Sequence, residues 1–183
     1  TIISVVSFYS LIAVKADAPW KTIQEMVAAG KASPGKLRVG SPGEGTSRHL
    51  SLEELQRLAG VNFTHVPFSG WGETSPALLG GHIEGLVAQP GEVKPLVEGK
   101  KLRVLLTFQP KRHEAFPDAP SAKELGWDAT NAVTFMVVVP KGTPGPVLKY
   151  LHDSVRVALE DPQFVNTIKQ RGIAIDYRAG DEL

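Results

Sequence analysis

The residues best placed for chemistry run from Gly40 to Ser47, in the order Gly40-Ser41-Pro42-Gly43-Glu44-Gly45-Thr46-Ser47. A short apolar segment, Leu37-Arg38-Val39, precedes them. Arg48-His49-Leu50-Ser51-Leu52-Glu53-Glu54-Leu55 follows with helical spacing. Three glycines within six residues let the backbone take positive φ and come close to a ligand. Thr46 and Ser47 are residue types favoured at a helix start. The first-turn amides of that helix lack intrahelical partners and sit at the positive end of its dipole, which makes an anion site. In open α/β sheets ligands bind at this place, outside the carboxyl end of a strand. The chemistry on offer is therefore capture of an anion; the alternative is a tight strand-to-helix turn that binds nothing.

Known phosphate loops do not fit. The G-x-G-x-x-G pattern fails because Arg48 stands at its third glycine position, and no Gly-Lys-Ser/Thr occurs anywhere. The five histidines, His49, His65, His82, His113 and His152, form neither H-x-x-x-H nor H-E-x-x-H, so no metal site is expected. His49 falls in the first helical turn and is expected to support the loop rather than touch a ligand. Ser41 has no G-x-S-x-G around it and no His/Asp set placed to activate it, so no catalytic residue is assigned. Arg48 opposes the dipole of its own helix and reads as a solvated side chain, or else as a cation beside the anion site. Glu53 and Glu54 read as a solvated helix face.

The elements that position this loop repeat as strand, turn, helix. Val61 to Pro67 is a second strand, followed by the turn Phe68-Ser69-Gly70-Trp71-Gly72 and a helix ended by Gly80-Gly81. Ile83 to Ala88 is a third, followed by Gln89-Pro90-Gly91 and another helix; Leu102 to Phe108 is a fourth. That order implies parallel strands with right-handed crossovers, helices over the sheet, and all three turns on one sheet edge. Ahead of it, Thr1 to Val14 reads as one or two buried strands broken near Ser7 to Ser10. Ala18-Pro19-Trp20 opens a helix with the apolar face Ile23, Met26 and Val27, stopped by Ser33-Pro34-Gly35. Behind it come a short helix at Ser121 to Leu125 and a fully apolar strand, Val133 to Val139. A long helix then starts at Thr143-Pro144, another at Asp161-Pro162 is capped by Gly172, and Ile173 to Ile175 forms a last strand.

The composition suits such a fold. The 183 residues are 42% hydrophobic and 21% charged. That is enough for one large domain, or one domain and part of another. A net charge of +1 gives no nucleic-acid footprint. The absence of cysteine excludes disulfides and thiol catalysis, and no apolar run approaches the roughly 20 residues of a membrane span. The sequence starts at Thr1 without an initiator Met, so a removed leader or further N-terminal chain is expected ahead of it.

Three segments together resemble one family. Gly40-Ser41-Pro42-Gly43-Glu44-Gly45-Thr46-Ser47-Arg48-His49-Leu50 is similar to its G-S-x-G-x-G-T-x-x-H-L segment. His65-Val66-Pro67-Phe68-Ser69-Gly70, with Leu78-Leu79-Gly80-Gly81-His82-Ile83, is similar to its H-V-P-Y-K-G and L-L-G-G-x-V segments. Gly99 to Leu105, Lys111-Arg112 and Phe116 to Ser121 are similar to its G-K-L-R-x-L and K-R…P-D-V-P-T segments. These mark the periplasmic solute receptors of tripartite tricarboxylate transporters, the Bug or TctC family. The sequence departs from the pattern at Arg48, at Phe68-Ser69 for Tyr-Lys, and at Gln89-Pro90.

The resemblance implies a two-lobed, type II periplasmic-binding-protein fold that closes on a small carboxylate, without enzymatic activity or a cofactor. It implies an α/β lobe with a mostly parallel sheet over residues 14–131. Residues 1–13 and 132–183 would supply crossing strands and the C-terminal part of an incomplete first lobe. The expected carboxylate contacts are the amides from Gly43 through Gly45 to Ser47 and the hydroxyls of Ser41, Thr46 and Ser47, with Phe68, Ser69, Gly70 and Gln89 completing the wall. Expected partners are the ligand, the transporter's membrane components and a second copy of the chain meeting the incomplete lobe; the expected location is the periplasm. The competing readings are an α/β enzyme acting on a phosphorylated or acyl substrate, and a truncated lobe that binds nothing measurable.

Overall fold

The computed structural model describes residues 3–170 and 173–179. The chain divides into two compact units, Tyr9–Ala132 and the described residues of Thr1–Phe8 with Val133–Leu183.

The larger unit holds a five-stranded sheet built from β2 (Leu11–Lys15), β3 (Arg38–Ser41), β4 (Thr64–Pro67), β5 (Gly85–Ala88) and β6 (Leu102–Thr107), in the order β4-β3-β5-β2-β6. β3 runs parallel to β4 and to β5, as the repeated strand-turn-helix order requires. β2 is the exception, wedged antiparallel between β5 and β6. The sheet is thus mostly parallel, and its one reversed strand comes from the segment ahead of the repeats. Four helices cover it: α1 (Ile23–Ala32), α2 (Ser47–Ala59), α3 (Trp71–Leu79) and α4 (Pro90–Glu98). β2 shows why its sequence is apolar without alternation. Ile12 and Val14 enter one core with Ile23, Met26, Leu52 and Leu55, while Leu11 and Ala13 enter the other with Leu78, Val93 and Phe116. A strand covered on both faces has no polar side to show.

Two expectations for this unit change. Pro19 does not open α1. Thr22 caps it instead, accepting from Glu25 N at 3.2 Å, while Lys21 N donates back to Glu25 Oε2 at 2.6 Å. This reciprocal pair satisfies two amides that otherwise have no helical partner, so it sets the start more strongly than a proline can. The short helix expected at Ser121 to Leu125 is one 3₁₀ turn, Lys123–Leu125.

The smaller unit is a three-stranded sheet in the order β7-β1-β8, from β1 (Ile3–Tyr9), β7 (Ala132–Val137) and β8 (Ala174–Ala179), with α5 (Gly145–Glu160) and α6 (Pro162–Gln170). β1 and β8 are antiparallel. The last strand is longer than its apolar part, Ile173 to Ile175: β1 pairs with it out to Ile3 opposite Ala179, and Ser7 Oγ donates to Asp176. Leu148, Leu151 and Val155 of α5 fold back onto Ile3, Val5 and Val137. Phe135 and Met136 of β7 are 55% and 47% exposed. The expected Gly172 cap, Thr1 and Ile2 lie outside the described residues.

Candidate functional site

β3, β4 and β5 end on one edge of the large sheet, and each hands the chain to a helix there: β3 to α2, β4 to α3, β5 to α4. The first of these turns is the glycine loop. Gly43 at φ 121° and Gly45 at φ 71° fold the loop back on itself. Side chains oppose both conformations, and glycine does not. Ser41 Oγ donates to Gly43 O at 3.1 Å, and Thr46 Oγ1 donates to the same carbonyl at 2.9 Å. Thr46 also caps α2, accepting from His49 N at 3.4 Å. With Leu50 N bonded to Thr46 O, the amides of Ser47 and Arg48 are the first-turn donors left without an intrahelical partner.

The candidate residues divide by what already engages them. Ser41 is buried, and its hydroxyl meets His65 Nε2 at 2.7 Å as well as Gly43 O. The parallel register of β3 with β4 brings one histidine, His65, beside Ser41. The Ser41 hydroxyl is thus engaged both by its own loop and by His65. Gly45 N donates to His49 Nδ1 at 3.0 Å. Ser47 presents both an amide and a hydroxyl. In the second turn Phe68 N donates to Ser41 O at 2.9 Å, tying this turn to the glycine loop. Ser69 N donates to Glu73 Oε2 at 3.1 Å, and Gly70 caps α3. In the third turn Gln89 caps α4, and its backbone N donates to Glu92 Oε2 at 2.8 Å.

Of the two readings of Arg48, the solvated side chain is not what the structure has. Its side chain is 17% exposed and its Nη2 lies 3.4 Å from Glu92 Oε1, bridging the first turns of α2 and α4. Glu92 offsets the repulsion between the guanidinium and the helix dipole. His49 Nε2 lies 3.4 Å from Glu53 Oε1, and the His49 and His65 rings stack with centroids 3.9 Å apart. Burial, and then the neighbouring His49 ring, hold His65 below the ordinary histidine pKa; Glu53 and Glu44 oppose this weakly. Neither the histidine pair nor the Glu92 bridge is apparent from spacing. The signals that bear on them are His65 one strand away in register and the Gln89-x-x-Glu92 box at the start of α4.

The larger unit is thus a doubly covered, mostly parallel α/β sheet with three helix starts gathered at one edge, the place where open α/β sheets bind ligands. The model of the family described as "Tripartite tricarboxylate transporter family receptor" matches residues 1–182, and the chain belongs to that family. A UPF0065 protein from the gbd 5' region of Cupriavidus necator is 42% identical over 163 residues, covering 89% of this chain and 50% of that protein. A TctC solute-binding protein from Polaromonas is similar in structure, with a TM-score of 0.84 and 30% identity, covering 98% of this chain and 62% of that one. MatC from Rhodopseudomonas palustris, described with bound malate, has a TM-score of 0.76 and 25% identity, covering 96% and 60%. The chain spans about half the length of the curated relatives it matches.

Proposed function

We propose that this chain is the ligand-capturing part of a periplasmic receptor that takes a small carboxylate and passes it to the membrane components of a tripartite transporter. The observation that carries this reading is the start of α2, where the Ser47 and Arg48 amides and the Ser47 hydroxyl are the donors the loop does not use for itself. Ser41 and Gly45 shape the loop from within, and Thr46 caps the helix. Phe68, Ser69, Gly70 and Gln89 stand on the two neighbouring turns of the same edge. The malate described with MatC supports the carboxylate class. No reacting group is needed for capture, and the relatives are receptors rather than enzymes.

Calorimetry with a panel of mono-, di- and tricarboxylates tests this, using Ser47→Pro as the variant. Proline is tolerated at the first helical position and wants an extended residue before it. Thr46, at ψ 162°, already has that backbone. The substitution removes one amide and one hydroxyl while keeping the helix. Losing a hydrogen bond to a charged group costs about 1.5–3 kcal/mol, so affinity falls roughly 10- to 150-fold. Unchanged affinity in Ser47→Pro, or no binding of any carboxylate by the wild type, overturns the reading. Self-association follows from the other unit, where Phe135, Met136 and Val138 leave an apolar strand exposed. Light scattering across a concentration series detects it, and a monomer throughout rejects it.

A further inference from the structure

The loop between Gly40 and Ser47 is held from both ends by one pair of rings. His49 and His65 stack with centroids 3.9 Å apart and planes 14° apart. His65 meets Ser41 Oγ at the loop's first turn, and His49 Nδ1 accepts the Gly45 amide four residues later. To accept that amide Nδ1 must carry a lone pair, so His49 is neutral with its proton on Nε2, which faces Glu53 Oε1. A second proton on this ring has one place to go, Nδ1, where it turns an acceptor into a donor pointed at another donor. A proton on His65 puts a cation against the same stack, and two charged rings at this distance repel.

We propose that His49 and His65 are positioning residues that hold the anion loop in its binding shape only while both rings are neutral, so that acidification releases Gly45 and lowers ligand affinity. This rests on the reading of the loop as the carboxylate site. The charged groups that face the pair are Glu53, on the helix of His49, and Glu44, on the loop itself. Glu53 decides the direction of the effect. It lies close enough to neutralise a charged His49, which leaves little net attraction for a bound carboxylate, while the donor-to-donor clash at Gly45 remains. The depressed pKa of His65 agrees with a stack that resists charging.

The test is a titration of the ¹⁵N-labelled chain from pH 7.5 to 5.0, without ligand, reading the imidazole nitrogens and the Gly45 amide by NMR. At pH 7.5 a ¹⁵N–¹⁵N coupling across the Gly45 N–H···Nδ1 bond is expected. It is lost on acidification, and the Gly45 amide shift follows the same midpoint as the rings. His49→Asn places an amide oxygen where Nδ1 stood and does not titrate, so its Gly45 shift stays constant over this range. Calorimetry with malate adds the functional arm. Wild-type affinity falls about tenfold per pH unit below the midpoint relative to His49→Asn, in which the ligand's own ionisation is the same. A Gly45 shift that ignores the titrating rings, or parallel loss of malate affinity in both proteins, overturns the proposal. If neither protein binds malate at pH 7.5, the carboxylate reading fails, and the ligand-free titration alone decides on the histidine pair.

Discussion

Gly40→Ala places one methyl group where the fold has left no room. Gly40 lies in β3, and a Cβ built on it comes 2.6 Å from Ile83 Cδ1, 3.0 Å from Phe68 Cε2 and 3.0 Å from Thr74 Cγ2. Real Cβ atoms do not approach carbon so closely, and something must move. Thr74 is buried and its hydroxyl is fixed on Gly70 O at 2.8 Å, while Ile83 is 3% exposed with no open side to turn toward. Overpacking of this kind costs about 1–3 kcal/mol. For a protein of this size that lowers Tm by about 2–12 °C. Urea unfolding followed by circular dichroism measures the cost directly. Ile83→Val removes the offending Cδ1 and alone costs about 0.5–1.5 kcal/mol. The double variant should therefore lose less than the sum of the two single variants, with a coupling of about 1 kcal/mol. Additive losses, or a Gly40→Ala protein within about 0.5 kcal/mol of wild type, would refute the packing argument. Gly45→Ala is the control, since nothing lies within 4 Å of its Cβ and only its φ of 71° opposes the change. That backbone strain costs about 1–2 kcal/mol, and no neighbour can relieve it.

Thr46→Ala removes the α2 cap and a bond to Gly43 O. It should cost about 1 kcal/mol in urea unfolding, with Thr46→Ser restoring most of it. The folded pKa of His65 lies below its unfolded value, so the unfolded chain binds the extra proton. That stability is complete above pH 6.5 and is lost as pH falls through the folded pKa. Urea midpoints at successive pH values should rise toward pH 7, with a shallower rise in His65→Phe. Glu84 is held below the carboxylate range chiefly by its hydrogen bonds from Arg38, at 2.7 Å from Nη2 and 3.1 Å from Nε. Its contribution is present above pH 4.5 and lost on further acidification, so Glu84→Gln should lower the urea midpoint at pH 7 and converge on wild type in acid.

The strand-turn-helix order is legible because glycine, proline and threonine punctuate each unit locally, and three turns on one edge follow once parallel pairing is accepted. Pro19 misleads at the start of α1, although Thr22-Ile23-Gln24-Glu25 carries the reciprocal cap in four residues. The place of β2 is not legible. Its partners Ala88 and Thr107 stand far along the chain from Leu11, and a strand apolar on both faces gives no sign of its direction. The glycine loop is readable as a strand-to-helix turn, but which donors it spends on itself depends on His49 and His65. Those rings meet only through the register of β3 with β4. Arg48 is misplaced for a similar reason, since its counter-charge Glu92 belongs to another helix.

The position of β2 also has a consequence in time. Leu11 to Lys15 leaves the ribosome before any of its sheet neighbours exist, and its pairing with β6 needs Leu102 to Thr107. At about 5–20 residues per second of synthesis, Leu11 waits on the order of 5 to 20 s for Thr107. During that interval β3, β4 and β5 can pair among themselves, because each finds its neighbour within the stretch already made, but Leu11, Ile12, Ala13 and Val14 have no sheet to enter. Of the five strands in its sheet, the one placed between β5 and β6 is the first to be made and among the last to be seated. During synthesis this apolar segment stays unpaired until Leu102 to Thr107 arrives, and its docking completes the sheet.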